Sequence, residues 1–182
     1  MEAVIAVQGV RGCFSQLAAE RLAPNAALLY CREMADAFRA VQEERAGGLI
    51  LPVWNTLAGD IAPHLALAEQ HPQLSRKVET SVRIRMCLHG VPGTRLEQVK
   101  RIYSHPVALR QCSIFLAERP EINPEAFHDT AAAVKYIMDV GDQANAALAS
   151  AAAGEEYGAE LLASDVQDVV ENFTQFWLLR RA

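Results

Sequence analysis

Asn172, Thr174 and Gln175 stand among apolar residues in the closing stretch "ENFTQFWLLRRA". The apolar runs on either side predict a strand that packs well. Three uncharged hydrogen-bonding side chains in such a strand need partners or a task, because burying an unpaired polar group is costly.

Four earlier stretches carry hydroxyls, amides or glycines where a strand ends or a helix begins. "GVRGCFSQ" allows a tight turn at Gly9 and Gly12 before a helix led by Ser15, and unpaired N–H groups at such a start suit an anion. "LPVWNTLAGD" places Asn55 and Thr56 after a strand. "YSHPVALRQC" sets Ser104 and His105 before Pro106, which keeps His105 out of helical geometry, and Gln111 on the following helix. "HDTAAAV" offers Asp129 or Thr130 as a helix cap. Taken singly, each is a turn or a cap. No Asp or Cys stands at a partner spacing to His105, and no nucleophile elbow is present.

The elements that must position these residues alternate. "EAVIAVQGV" predicts a first strand, and "RGCFSQLAAERLA" a turn and helix with Ser15 as N-cap. "AALLYC" predicts a second strand. The next helix, "EMADAFRAVQEERAGG", carries Ala35, Phe38 and Val41–Gln42 on its stripe. "LILPV" predicts a third strand and "LAGDIAPHLALAEQ" a helix. The order β-α-β-α-β implies a parallel sheet with right-handed crossovers. "KVETSVRIRMCLHGV" alternates, with Val78, Val82, Ile84, Met86 and Leu88 in one parity, and suggests a strand or strand pair bridging to another sheet. "RIYSHP", the helices "VALRQCSIFLAE" and "TAAAVKYIMDV", the strand "NAALAS" and the short helix "AAAGEEYG" form a second α/β unit. "AELLAS" and "NFTQFWLL" are expected to return to the first sheet. The fold class is α/β: two lobes with a cleft between them, lobe 1 being 1–75 plus 159–182 and lobe 2 being 76–158. Such a cleft suits a small molecule.

Composition narrows the classes. The chain has 182 residues, 51% of them hydrophobic, so a sizeable core is available. The formal net charge of −5, with no basic cluster longer than "RR", speaks against nucleic acid. Cys13, Cys31, Cys87 and Cys112 lack CxxC spacing, which leaves a metal site without support and fits free thiols in a reducing compartment. The first residues lack a basic n-region and a spanning length of apolar sequence. A cytoplasmic protein away from membranes is expected.

Together, the motifs resemble the catalytic domain of prephenate dehydratases, in order, along nearly the whole chain. "GVRGCFS" is similar to the family's glycine-x-x-glycine-serine-phenylalanine-serine opening. "PVWNTLAG" is similar to its proline-isoleucine-glutamate-asparagine-serine motif. "SHPVALRQC" matches throughout, and it is the specific one. "DTAAA", "AALASAAAGEEYG" and "NFTQF" follow in the family's order. The resemblance implies two lobes like those of periplasmic binding proteins, no metal and no organic cofactor. It implies a reaction on prephenate, a small dianion, in which carboxylate and C4 hydroxide are lost together and phenylpyruvate forms. Aromatisation drives that step, so positioning and help for the leaving hydroxyl suffice.

By the same resemblance Thr174 is the catalytic residue. Its hydroxyl is too weak an acid to protonate strongly, so hydrogen-bond assistance is its expected role. Ser15, Asn55, Thr56, Ser104 and Gln111 are expected to hold carboxylates, ketone or hydroxyl. His105, Thr130, Gln175 and Phe176 are the remaining matched positions assigned to substrate. The family also implies a homodimer, and many relatives carry an ACT domain after the closing motif, for which this sequence has no counterpart.

Four positions depart from the pattern. Gln175 replaces arginine, a change expected to cost about 1.5–3 kcal/mol in a charge-assisted contact. Trp54 replaces glutamate, Thr56 serine, and Cys13 serine. Arg11, Arg83, Arg85 and Arg110 are candidates to replace the lost guanidinium. The departures raise a second reading, a decarboxylase that leaves the ring non-aromatic, and the two-lobed fold raises a third, a binder of small anions without chemistry.

Overall fold

The computed structural model describes residues 4–181. Glu2 and Ala3 of the expected first strand lie outside them. The chain divides into two units, one holding residues up to Val10, Phe14–Ile84 and the segment from Glu171, the other Arg11–Cys13 and Arg85–Val170.

The first unit opens with β1 (Val4–Gln8), α1 (Phe14–Leu22), β2 (Ala27–Cys31), α2 (Met34–Gln42) and β3 (Gly48–Asn55). β1 pairs in parallel with β2 and with β3, as the alternating pattern predicts. A two-residue strand β4 (Gly59–Asp60) folds back on β3 before α3 (Ala62–Glu69). The expected helix therefore starts later than its apolar pattern suggests, with Pro63 in its first turn. The sheet is completed by β5 (Leu74–Arg83) and by β11 (Phe173–Arg181), which runs antiparallel between β3 and β5.

Alternation along β11 sends its side chains to two cores. Phe176 and Leu178 pack with Ile5, Val7, Ile50 and Val82 beneath Ala18 and Ala19 of α1. Leu179 packs on the other face with Leu49, Leu51, Val53 and the α2 residues Met34, Ala37, Phe38 and Val41. Phe38 and Val41 are buried as the stripe predicts, whereas Ala35 and Gln42 are exposed and Met34, Ala37 and Ala40 complete the buried face.

The second unit holds β6 (Cys87–Gly90), β7 (Arg101–Ser104), α4 (Pro106–Gln111), α5 (Ser113–Ala117), β8 (Asn123–Ala126), α6 (Thr130–Val140), β9 (Asn145–Ala149), α7 (Ala151–Tyr157) and β10 (Glu160–Ala163). A 3-10 turn covers Leu96–Gln98. Its sheet runs β10-β6-β9-β7-β8. The alternating stretch after α3 does form two strands in two sheets, β5 and β6, although Val78 is exposed. Two expectations give way here, and one strand was not anticipated. β10 pairs with β6 instead of returning to the first sheet. The helix expected over "VALRQCSIFLAE" breaks at Cys112 into α4 and α5. β8, with Pro124 and no buried residue, lacks the apolar signal that marks a strand, and it sits at the sheet's edge where proline is tolerated.

α6 buries Ala131, Ala132, Ala133, Val134 and Ile137, and β9 is buried at every residue. Gly12 passes close to α7. A Cβ there would stand 2.4 Å from Ala153 Cα, and its φ of +81° is one that side-chain-bearing residues resist.

Candidate functional site

In the first unit, β3 and β11 place Asn55 directly opposite Thr174. Residues opposed across an antiparallel pair share a sheet face. Both are buried, at 7% and 8% exposure. Asn55 Oδ1 accepts from the backbone N–H groups of Leu57 (2.9 Å) and Ala58 (3.1 Å), which fixes which end of the amide is oxygen. Nδ2 therefore faces β11. Its two protons are shared among three acceptors: Asn172 Oδ1 at 2.8 Å, the Phe173 carbonyl at 3.1 Å and Thr174 Oγ1 at 2.9 Å.

The consequence for Thr174 is a matter of lone pairs and protons. A hydroxyl has one proton to donate. Because Oγ1 already accepts the Asn55 N–H, the O–H is directed away from Asn55. No acceptor for that proton is recorded among the described residues. Thr56 does not cap a helix. Its hydroxyl and N–H bridge to Phe173, taking the Phe173 N–H at 2.9 Å and donating to the Phe173 carbonyl at 3.2 Å. Thr56 and Asn55 thus pin the start of β11 to the end of β3.

Ser15 is the second residue of α1 rather than its N-cap, and is buried at 8% exposure. α1 covers the sheet face that carries Phe176, and Phe176 itself is 2% exposed in that core. Gln175 follows Thr174 in the strand and so projects to the opposite face, in register with Trp54 and Ser81. Trp54 is 39% exposed there.

In the second unit the matched polar residues cluster around β7, α4 and the start of α6. Ser104 is fully buried and donates to the Leu148 carbonyl at 2.7 Å, so it ties β7 to β9 and is not the helix cap. The cap of α4 is His105, whose Nδ1 accepts from Val107 N at 3.2 Å. Burial holds the His105 imidazole below its usual value, with Asp129 raising and Arg110 lowering it further. Gln111 is half-buried at the end of α4. Asp129 caps α6 through Ala132 N at 2.7 Å, and Thr130 is the first helical residue.

Three of the arginines considered as replacements are engaged with carboxylates: Arg11 with Glu156, Arg83 with Glu171, and Arg85 with Asp165 through two contacts. Arg110 is exposed. All four cysteines are buried thiols, and burial pushes Cys112 up to about 12. No group of His, Cys, Asp or Glu among the described residues has the make-up of a metal site. No helix among them is long and apolar enough to cross a membrane. Asn172, fully buried, is a member of the Asn55 network that the motif comparison did not assign to substrate. Its signal was its place in the same polar interruption of the last strand.

Two sheets, with the chain's last strand returning to the first, define an α/β fold shared with other solved proteins. Its likeness extends to a periplasmic substrate-binding protein of an ABC transporter from Coxiella burnetii, with a TM-score of 0.51 at 13% identity over 98% of this chain and 84% of that one. A family model described as prephenate dehydratase matches residues 5–182, and the chain belongs to that family. It is similar to arogenate dehydratase 2 of Petunia hybrida, 39% identical over 177 residues that cover 97% of this chain and 44% of that protein. Among solved structures it is similar to the prephenate dehydratase of Arthrobacter aurescens in complex with L-Phe. There the TM-score is 0.90 at 25% identity, covering 98% of this chain and 60% of that one. It is also similar to GqqA, described as a novel type of quorum quenching acylase, with a TM-score of 0.85 at 35% identity over 98% of this chain and 64% of that one. The chain spans less than half the length of the curated relatives it matches.

Proposed function

We propose that this chain is a carbon–oxygen lyase that removes carbon dioxide and the C4 hydroxyl from prephenate or arogenate. The observation that carries the reading is the 2.9 Å hydrogen bond from Asn55 Nδ2 to Thr174 Oγ1, which leaves the threonine with a proton to give. As the carboxylate leaves, the electron pair of its C–C bond enters the ring and hydroxide departs from C4. Hydroxide is a poor leaving group, so a donor aimed at that oxygen stabilises charge where it develops. Thr174 supplies the donor and Asn55 orients it. Gln111, Thr130, His105 and the start of α1 at Ser15 are assigned to the substrate's carboxylates and side chain. Ser104, Thr56 and Phe176 serve as scaffold, and Gln175 takes no part on the Thr174 face.

Both substrates are kept because the family's name points to prephenate and the plant relatives' names to arogenate, which carries an amine in place of the ketone. The buried thiols fit a reducing compartment such as the cytoplasm. A dimer is expected by analogy with the family alone.

Incubation with each compound, followed by absorbance and mass, tests the reading. Phenylpyruvate from prephenate, or phenylalanine from arogenate, supports it. A product that has lost carbon dioxide but kept the hydroxyl indicates the non-aromatising decarboxylase instead. Binding without turnover indicates a non-catalytic binder, and neither binding nor turnover removes all three.

A further inference from the structure

We propose that Asp168 is a positioning residue that fixes Gln111 by clamping the corner between α4 and α5. The corner is a weak point in the sequence. α4 has only six residues, Cys112 offers no side-chain cap to α5, and the two helices do not continue one another. Helix ends leave carbonyls at one side of such a break and N–H groups at the other without intrahelical partners. Asp168 meets both sets at once. Its backbone N–H donates to the Gln111 carbonyl at 2.7 Å. Its carboxylate accepts from Ser113 N at 3.0 Å, Ser113 Oγ at 2.7 Å and Ile114 N at 2.9 Å. Hydrogen bonds to an ionised carboxylate are about twice as strong as neutral ones, and a negative charge at a helix start is favoured.

The clamp is itself held. Val166 N donates to the Met86 carbonyl at 3.0 Å, and Gln167 Oε1 accepts from Met86 N at 2.8 Å. Arg85 binds the carboxylate of Asp165 at 2.6 Å. Asp165 adopts a φ of +54°, a conformation that asparagine and aspartate tolerate best. The strap 165–168 is thus fastened to the entry of β6 and transmits that position to the last residue of α4. Asp168 touches no substrate in this account. It acts through Gln111.

The inference rests on the reading of Gln111 as a substrate-holding group, so its test is a double-mutant cycle on KM. KM and kcat are measured with prephenate and with arogenate for the parent chain, Gln111→Ala, Asp168→Ala and the double variant. Thermal melting is recorded for each. Gln111→Ala is expected to raise KM about tenfold, the upper range for one neutral hydrogen bond. Asp168→Ala is expected to raise KM by a similar factor with kcat held, and the double variant to be no worse than Gln111→Ala. Asp168→Asn, which keeps one accepting oxygen, should fall between parent and Asp168→Ala, and it carries the test if Asp168→Ala does not fold. KM effects that multiply in the double variant overturn the clamp while leaving Gln111's role intact. An unchanged KM in Gln111→Ala overturns that role, and the clamp's purpose with it. A lowered melting temperature with unchanged KM in both Asp168 variants makes Asp168 purely structural and also overturns the proposal.

Discussion

The crossing of β3 with β11 and the β7–α4 region solve one problem in opposite ways. Both bring polar residues of the family motifs into a packed layer. At the crossing, side chain meets side chain, and one amide, Asn55, organises Asn172 and Thr174. Around β7 and α4, side chain meets backbone: Ser104 is spent on the Leu148 carbonyl, His105 on Val107 N, and Asp129 on Ala132 N. A hydroxyl that accepts keeps its proton for a substrate, whereas a hydroxyl that donates to a carbonyl has given it away. The comparison separates Thr174, available for chemistry, from Ser104, which serves the fold.

Changes at the crossing should therefore damage both stability and turnover, and the largest effect is expected from Asn55→Leu. It strands the N–H groups of Leu57 and Ala58 and takes the Asn55 amide away from Asn172 and Thr174 in a buried network. Chemical denaturation should show a loss of about 3 kcal/mol, the cost of several unsatisfied groups, and the folded fraction should turn over at least about tenfold more slowly as the Thr174 donor loses its orientation. A loss confined to stability would place the crossing in the same scaffold class as Ser104.

In the second unit the damage should be to stability first. Gly12→Ala drives a Cβ towards the Ala153 backbone from a positive φ. About 2 kcal/mol of destabilisation is expected from such strain, readable as a shift in the denaturation midpoint. Next comes His89, which is 2% exposed. Its Nε2 lies 3.0 Å from the Ser150 carbonyl, and no partner for Nδ1 is recorded among the described residues. Burial holds its imidazole below the usual value. Below about pH 6.5 the unfolded chain binds a proton that folded His89 refuses, so stability falls as pH drops from there towards the lowered folded value. The His89 share of that slope cannot exceed about 1.4 kcal/mol per pH unit. His89→Gln should flatten the profile of melting temperature against pH in that window without removing it, since burial lowers His64 and His105 too. An unchanged slope would assign the loss to those other histidines.

The smallest effect is expected at Gln175. Because it projects to the face opposite Thr174, restoring the family's residue with Gln175→Arg should leave stability within about 0.5 kcal/mol and turnover nearly unchanged. A large gain in turnover would show that the two faces communicate and would sharpen the comparison differently.

Much of this contrast was legible in the sequence. The parallel β1–β3 layer followed from apolar runs separated by amphipathic helices, and the alternation across Val82, Ile84, Met86 and Leu88 marked the passage from one sheet to the other. Asn172 and Thr174 announced themselves as polar interruptions of an apolar strand. What stayed hidden depends on contacts distant in the chain. Thr56 and Ser104 have the residue types of helix caps, and only their partners Phe173 and Leu148 reveal them as ties. The α4–α5 break has no local breaker, because the residue that satisfies it, Asp168, lies 55 positions from Ser113. Exposed Pro124 concealed β8, and β10 went to the other sheet because an apolar run does not say which edge it will join.

The most direct test of the account compares Thr174→Ser with Thr174→Val, the first keeping the hydroxyl and the second replacing it with a methyl of similar size. With whichever of prephenate or arogenate the parent consumes, Thr174→Ser should hold kcat within about tenfold, while Thr174→Val should lose about a hundredfold or more in kcat with substrate affinity retained. Equal kcat in the valine variant and the parent would contradict the assignment of the Thr174 hydroxyl to the departing oxygen.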